Sequence, residues 1–271
     1  MSLFDSLGMP TEVIRSINSL AILQEKTGNA SLACITCGDA LSLARECGSA
    51  HDIAACLNTF ARLKRYMGDV RGSIDMLHEA LSIYQAIDDT DSSAAVLNNI
   101  GCISADIGDL ATARAAFEEG LLLIRSISNP AWTAFACHNL GDTKARQGDP
   151  AGGLELIREA IQIRARIMDH SGIISSLEAA AFAICDCGNV QCAIRLVSAT
   201  SHYRSKLGIP ARPVQKQILE HLIDSMKMQV SASDFHAAWS VGRSLTEAQT
   251  VSLSLYEALD FSSDVANPLR T

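Results

Sequence analysis

The stretch from residue 97 to residue 117, LNNIGCISADIGDLATARAAF, sets the fold. Leu97, Ile100, Gly101 and Ser104 fall at i, i+3, i+4 and i+7, the spacing of one helical face. Gly108-Asp109 then breaks the pattern: glycine supplies a left-handed residue to end a helix, and aspartate caps the next by accepting a bond from its free N–H groups. Ala113 and Phe117 resume a 3.6-residue rhythm. The stretch reads as helix A, a tight turn and helix B.

The same turn recurs outward in both directions. Gly28, Gly68, Gly108, Gly148 and Gly188 lie forty residues apart, each followed by Asn29, Asp69, Asp109, Asp149 or Asn189. Eleven residues before each glycine the chain is apolar (Ile17, Leu57, Leu97, Cys137, Leu177), and seven before it is small (Ala21, Ala61, Gly101, Gly141, Ala181). Small residues there let helices approach closely. Links such as Gly48-Ser49-Ala50 and Ser128-Asn129-Pro130 separate one hairpin from the next. A single hairpin cannot bury its apolar face, so neighbours must stack into a continuous core.

The pattern resembles the tetratricopeptide repeat, W-x2-L-G-x2-Y followed by A-x3-F, in Leu97-x2-Ile100-Gly101-x2-Ser104 and Ala113-x3-Phe117; Leu140-Gly141 and Gly148-Asp149 repeat it one unit later. The aromatic at the Tyr position is missing, and the period is 40 rather than 34. The resemblance implies an all-α, right-handed α-solenoid of five repeats over 11–205. Beyond it the ruler stops. Pro213 to Val230 reads as an amphipathic helix, Ser233 or Asp234 caps a helix from Phe235, and Thr246 with Gln249 forms a capping box for a last helix to about Leu259. These make a divergent cap over 206–260 and a tail over 261–271.

The C-terminal string DFHAAWSVGRSLTEAQTVSLSLYEAL, residues 234–259, resembles the end of large bacterial regulators that join an ATPase module, a tetratricopeptide array and a DNA-binding or cyclase domain, the ATPase-linked LuxR-type class. The segment from Ala193 through Gly208, Pro210 and Pro213 fits the same ending. The resemblance implies a sensor or effector-binding array. The sequence contains no G-x-x-x-x-G-K-[ST] loop and no basic recognition helix. The expectation is therefore the separated C-terminal part of such a regulator, or a stand-alone relative acting as a scaffold or adaptor.

Composition narrows the function further. Hydrophobic residues make up 48%, charged residues 19% and aromatics 5%, with a net charge of −8. That balance suits packed helices and argues against a phosphate-binding surface, so no direct nucleic-acid contact is expected. No apolar run is long enough to span a membrane, and Met1 to Pro10 lacks the basic start and apolar run of a signal peptide, so export is not expected. With nine cysteines, the expected compartment is the reducing cytoplasm.

Cys34-x2-Cys37 has the spacing of a zinc half-site or thiol redox pair, but the Cys37 register is apolar in every other unit and the Cys34 register in all but the third, so both are read as core. Cys185, Cys187 and Cys192 are read the same way. No metal, no cofactor and no catalytic residue are expected, because no nucleophile-elbow sequence or converging acid–base set occurs.

The informative polar register lies ten residues before each glycine: Asn18, Asn58, Asn98, His138 and Glu178. It flanks the buried apolar position and points toward the groove lined by the A helices. Arg62, Arg65 and Tyr66 add charge and an aromatic at one end; Asp106, Asp142 and Arg146 lie further along. Two readings stand. The ladder presents amides to a bound protein or peptide segment, or to a small effector; or it bonds adjacent helices and sets repeat geometry.

Overall fold

Thirteen helices and no strand make up the described residues, 10–211 and 213–256, of this computed structural model. The first ten are α1 (Pro10–Lys26), α2 (Ala30–Cys47), α3 (Ala50–Tyr66), α4 (Val70–Ala86), α5 (Thr90–Asp106), α6 (Leu110–Ile127), α7 (Pro130–Arg146), α8 (Pro150–Arg166), α9 (His170–Asp186) and α10 (Val190–Leu207). They pair as A/B hairpins, the pattern of a tetratricopeptide-like solenoid. Three more follow: α11 (Pro213–Gln229), α12 (Ala232–Ser244) and α13 (Glu247–Tyr256). The chain divides into two compact units, Met1–Ile127 and Ser128–Thr271.

Every A-to-B turn is built on a left-handed glycine. The five ruler glycines take φ between 82° and 92°, a left-handed conformation that side chains resist. Asp69, Asp109, Asp149 and Asn189 each accept a backbone N–H three residues on, at 2.9–3.1 Å. Asn29 makes no such side-chain bond. The Gly72 N–H holds the Asp69 carboxyl below the usual carboxylate range, and the Thr112 hydroxyl, with its N–H, does the same for Asp109.

The B-to-A links follow a second set of caps. Ser49 and Asp52 form a reciprocal capping box, and Asp89, Asn129 and Asp169 accept N–H bonds at the starts of α5, α7 and α9. The residue before three of these caps also has positive φ, yet none is glycine: Asp88, Ser128 and Met168.

Within the hairpins the small positions do what their size suggests. A Cβ on Gly141 would meet the Gly153 carbonyl oxygen at 2.6 Å, so α7 and α8 pack backbone to backbone. One core in the first unit gathers Ile14, Leu57, Leu77, Ile100 and Ile103; one in the second gathers Ile157, Leu177, Ile184 and Ile194 with Leu222, Met226, Phe235 and Leu253 from the last three helices.

The C-terminal helices correct one boundary. α12 starts at Ala232 and is capped by Ser231, whose hydroxyl accepts from Asp234 N, not by Ser233 or Asp234. The helix starts three residues earlier than Phe235 because Asp234 closes back on Ser231, its Oδ2 accepting from that hydroxyl at 2.7 Å. The box of Thr246 and Gln249 is present at the start of α13. Residues beyond Tyr256, including 257–259 of the expected last helix and the 261–271 tail, lie outside the described residues. None of the described helices is long and apolar enough to cross a membrane.

Candidate interaction surface

In the first unit the A helices α1, α3 and α5 are tied by three polar rungs. Arg62 on α3 donates to both carboxylate oxygens of Glu25 on α1, with Nη2–Oε2 at 2.7 Å. Asn99 on α5 donates its amide to Asn58 Oδ1 on α3 at 2.8 Å. Arg65 on α3 pairs with Asp106 on α5. Beside them Tyr66 is 70% exposed, an aromatic with no core to fill.

The ladder residues do not behave alike. Asn18 is half-buried, with Oδ1 3.8 Å from the Cys37 thiol. Asn58 is half-buried, and its amide N–H groups make no other bond among the described residues. Asn98 is only 5% exposed, with Nδ2 3.8 Å from Cys102 Sγ. It is Asn99, one residue on, that reaches Asn58. A 17-residue A helix turns 100° per residue, so one step separates the core side from the open side.

In the second unit the corresponding residues are drawn inward. His138 Nδ1 on α7 meets the Ser176 hydroxyl on α9 at 3.2 Å, and Arg164 Nη1 donates to the same Ser176 Oγ at 2.6 Å. Arg164 Nη1 also reaches the Gly172 carbonyl at 2.6 Å. Burial, helped by the Arg164 charge, holds the His138 imidazole down at about 3. Ser176 is fully buried, so this hydroxyl–imidazole contact faces no substrate. Glu178 is 3% exposed and bound by Arg204 on α10 and Gln215 on α11. Asp142 and Arg146 form an i, i+4 pair at 3.7 Å on α7.

Several partners were not singled out in the sequence: Glu25, Asn99, Arg164, Ser176, Arg204 and Gln215. Glu25, Asn99, Ser176 and Gln215 are found by an offset of 37, 38 or 41 residues rather than 40, as in Glu25–Arg62, His138–Ser176, Asn58–Asn99 and Glu178–Gln215, whereas Arg164 and Arg204 lie 12 and 26 residues from Ser176 and Glu178.

The cysteines sit where packing wants them. Cys37 is fully buried, 3.6 Å from the Cys56 carbonyl, and burial pushes its thiol up to about 12. Cys34 is half-buried beside it, and all nine are free thiols. Cys185 and Cys192 are buried and Cys187 is exposed. Among the described residues no three His, Cys, Asp or Glu side chains gather as a metal would need.

Comparison with known proteins assigns the repeat. Tetratricopeptide-repeat family models match residues 53–87, 133–171 and 94–126. Those three segments are therefore similar to tetratricopeptide repeats. Solved structures of similar fold include RapI in its apo form (TM-score 0.66, 12% identity, 93% of this chain and 99% of that one). A Rap protein complexed with competence and sporulation factor matches with TM-score 0.59 and 16% identity over 92% of this chain and 75% of that one. A Podosopora anserina protein of nearly identical TPR-like repeats, named for kinesin light chain, matches with TM-score 0.61 and 16% identity over 73% and 97%. At these identities the likeness concerns the fold alone. No curated protein matches the chain.

Proposed function

We propose that this chain is a non-catalytic binding module of a bacterial regulator: within an array of five repeats over 11–205, the A-helix face of the first unit holds a protein or peptide segment, and α11 to α13 cap the array. The observation that carries this reading is the Asn58–Asn99 pair. Asn58 uses only its carbonyl oxygen and Asn99 only its amide, at 2.8 Å, so one amide donor set and one carbonyl stay available on a half-exposed face. Peptide backbone has matching needs, an N–H and a C=O per residue. Exposed Tyr66 offers a flat apolar anchor, and the flanking Arg62–Glu25 and Arg65–Asp106 pairs frame it with both charges.

The site so defined comprises Asn18, Asn58, Arg62, Arg65, Tyr66, Asn99 and Asp106 on the first unit. His138 and Glu178 act instead as braces within the second. A Rap protein complexed with competence and sporulation factor is a precedent for a solenoid of this fold holding a partner. The resemblance of residues 234–259 to regulator endings supports the regulatory setting. The test is selection of a random peptide library on the purified chain, followed by calorimetry of the selected peptides. Asn58→Ala with Tyr66→Ala should abolish binding at unchanged helicity. Selected peptides that bind the double variant as tightly as the natural chain would remove the site from this face.

A further inference from the structure

Each A helix carries a pair of residues eight and five before its turn glycine. In α3, α5, α7 and α9 these are Phe60 and Leu63, Ile100 and Ile103, Leu140 and Thr143, Ala180 and Ala183. Phe60 is half-buried and each of the others is at most 4% exposed. In α3 they rest on the preceding B helix, where Phe60 and Leu63 cluster with Ala33, Cys34 and Cys37 of α2. The same two positions in α1 are Leu20 and Leu23, exposed to 48% and 58%. The register thus continues a packing interface used repeatedly within the chain, and no described helix covers it in α1.

The chain's own complementary face is taken. On α10, the last B helix, α12 is already seated: Ser198 donates to the Trp239 carbonyl at 2.6 Å, and a Cβ on Gly242 would meet the Arg195 carbonyl at 2.3 Å. A head-to-tail stack of chains is closed by that contact. Two-fold pairing of α1 with its own copy is open.

The α1 surface suits such pairing. Glu12, Ser16, Ser19, Leu23 and Lys26 recur at spacings of 4, 3, 4 and 3 residues, and with Leu20 they form one exposed stripe. Two small serines at its centre allow close approach of a second backbone. The charges are self-complementary when the helices run antiparallel about Ser19, which brings position 12 of one copy to position 26 of the other. Neither Glu12 nor Lys26 has an ion-pair partner among the described residues.

We propose that α1 is a self-association surface: two copies of the chain pair their α1 helices antiparallel about a two-fold axis, burying Leu20 and Leu23 and setting Glu12 of each copy beside Lys26 of the other. The contact is made by α1, whose Asn18 adjoins Ser19, and does not depend on the binding role given to Asn58, Asn99 and Tyr66.

Sedimentation equilibrium of the full chain tests it. The natural chain should be a dimer that dissociates on dilution, and Leu23→Glu should be a monomer with an unchanged circular dichroism spectrum, since Leu23 is already in solvent in a single copy. Glu12→Lys and Lys26→Glu should each weaken the dimer about tenfold, from two surface ion pairs lost per contact. An equimolar mixture of these two variants restores opposite charges at every cross-copy pair and should regain natural dimerisation. A natural chain still monomeric at about 100 µM, where a micromolar contact would be well populated, overturns the proposal. So does a Leu23→Glu chain that remains dimeric, or a mixture that fails to re-form dimers.

Discussion

Arg204 donates from Nε and Nη2 to the two carboxylate oxygens of Glu178, at 2.7 and 2.8 Å, and both side chains are nearly sealed from water at 12% and 4% exposure. Burying such a pair yields little net stability, but removing one partner strands a charge. Glu178→Ala should cost about 3 kcal/mol, lowering the melting temperature by roughly 6–12 °C. Glu178→Met with Arg204→Met should recover most of that loss. Thermal and urea melts of the three chains decide it; equal loss in single and double variants would refute the pairing argument.

His138 makes stability depend on pH. Its folded value of about 3 lies below the ordinary 6.5, so the folded chain excludes a proton that the unfolded chain accepts. Full stability is therefore present above pH 6.5 and is lost as pH falls from 6.5 toward 3, up to about 2 kcal/mol at pH 5. Asp52, Asp69 and Asp109 have depressed values, and their contribution is lost only below the normal carboxylate range. His138→Asn keeps an acceptor near Nδ1 but cannot titrate. The difference in melting temperature between it and the natural chain should shrink or reverse between pH 7 and pH 5.

Two glycines inside helices should respond oppositely to alanine. Gly141→Ala drives a methyl into the Gly153 carbonyl and Ile157, at 2.6 and 2.7 Å, and should cost about 1–3 kcal/mol. Gly38→Ala places its methyl 3.9 Å from the Phe60 ring, an ordinary contact, and should stabilise α2 by up to about 1 kcal/mol. Denaturant midpoints give both signs in one experiment.

Thiol alkylation should map the packing. Cys47 and Cys187 are exposed and should be modified in the folded chain. Cys37 and Cys56 are buried, with thiols pushed to about 12 and about 11, and should react only after unfolding. Peptide mass mapping after brief iodoacetamide treatment distinguishes them; early labelling of Cys37 would contradict the packing around α2.

The hairpins were legible because glycine at positive φ followed by an Asx cap is a local requirement, readable from Gly28 to Gly188 without knowledge of the rest. The links between hairpins were harder to read. Asp88, Ser128 and Met168 adopt the same left-handed backbone with no glycine to announce it. The polar face was legible in part. A register counted in forties gathers equivalent residues, whereas side chains that meet across adjacent A helices differ by 37, 38 or 41, since each residue projects away from its own Cα toward a neighbouring turn. Hence the forty-residue register points to Asn98, whereas Asn99 makes the bond. Likewise the inward turn of Glu178 depends on Arg204 and on Gln215 of α11, which lies beyond the periodic region.

The Gly-Asx turns also bear on how the chain comes apart under load. Each joins two helices whose mutual contacts lie within one forty-residue window, so hairpins form from local pairings and do not wait for distant parts of the chain. Stretched from its ends, the molecule should release length in discrete increments of one hairpin, roughly 140 Å of extended backbone each, rather than in a single rupture.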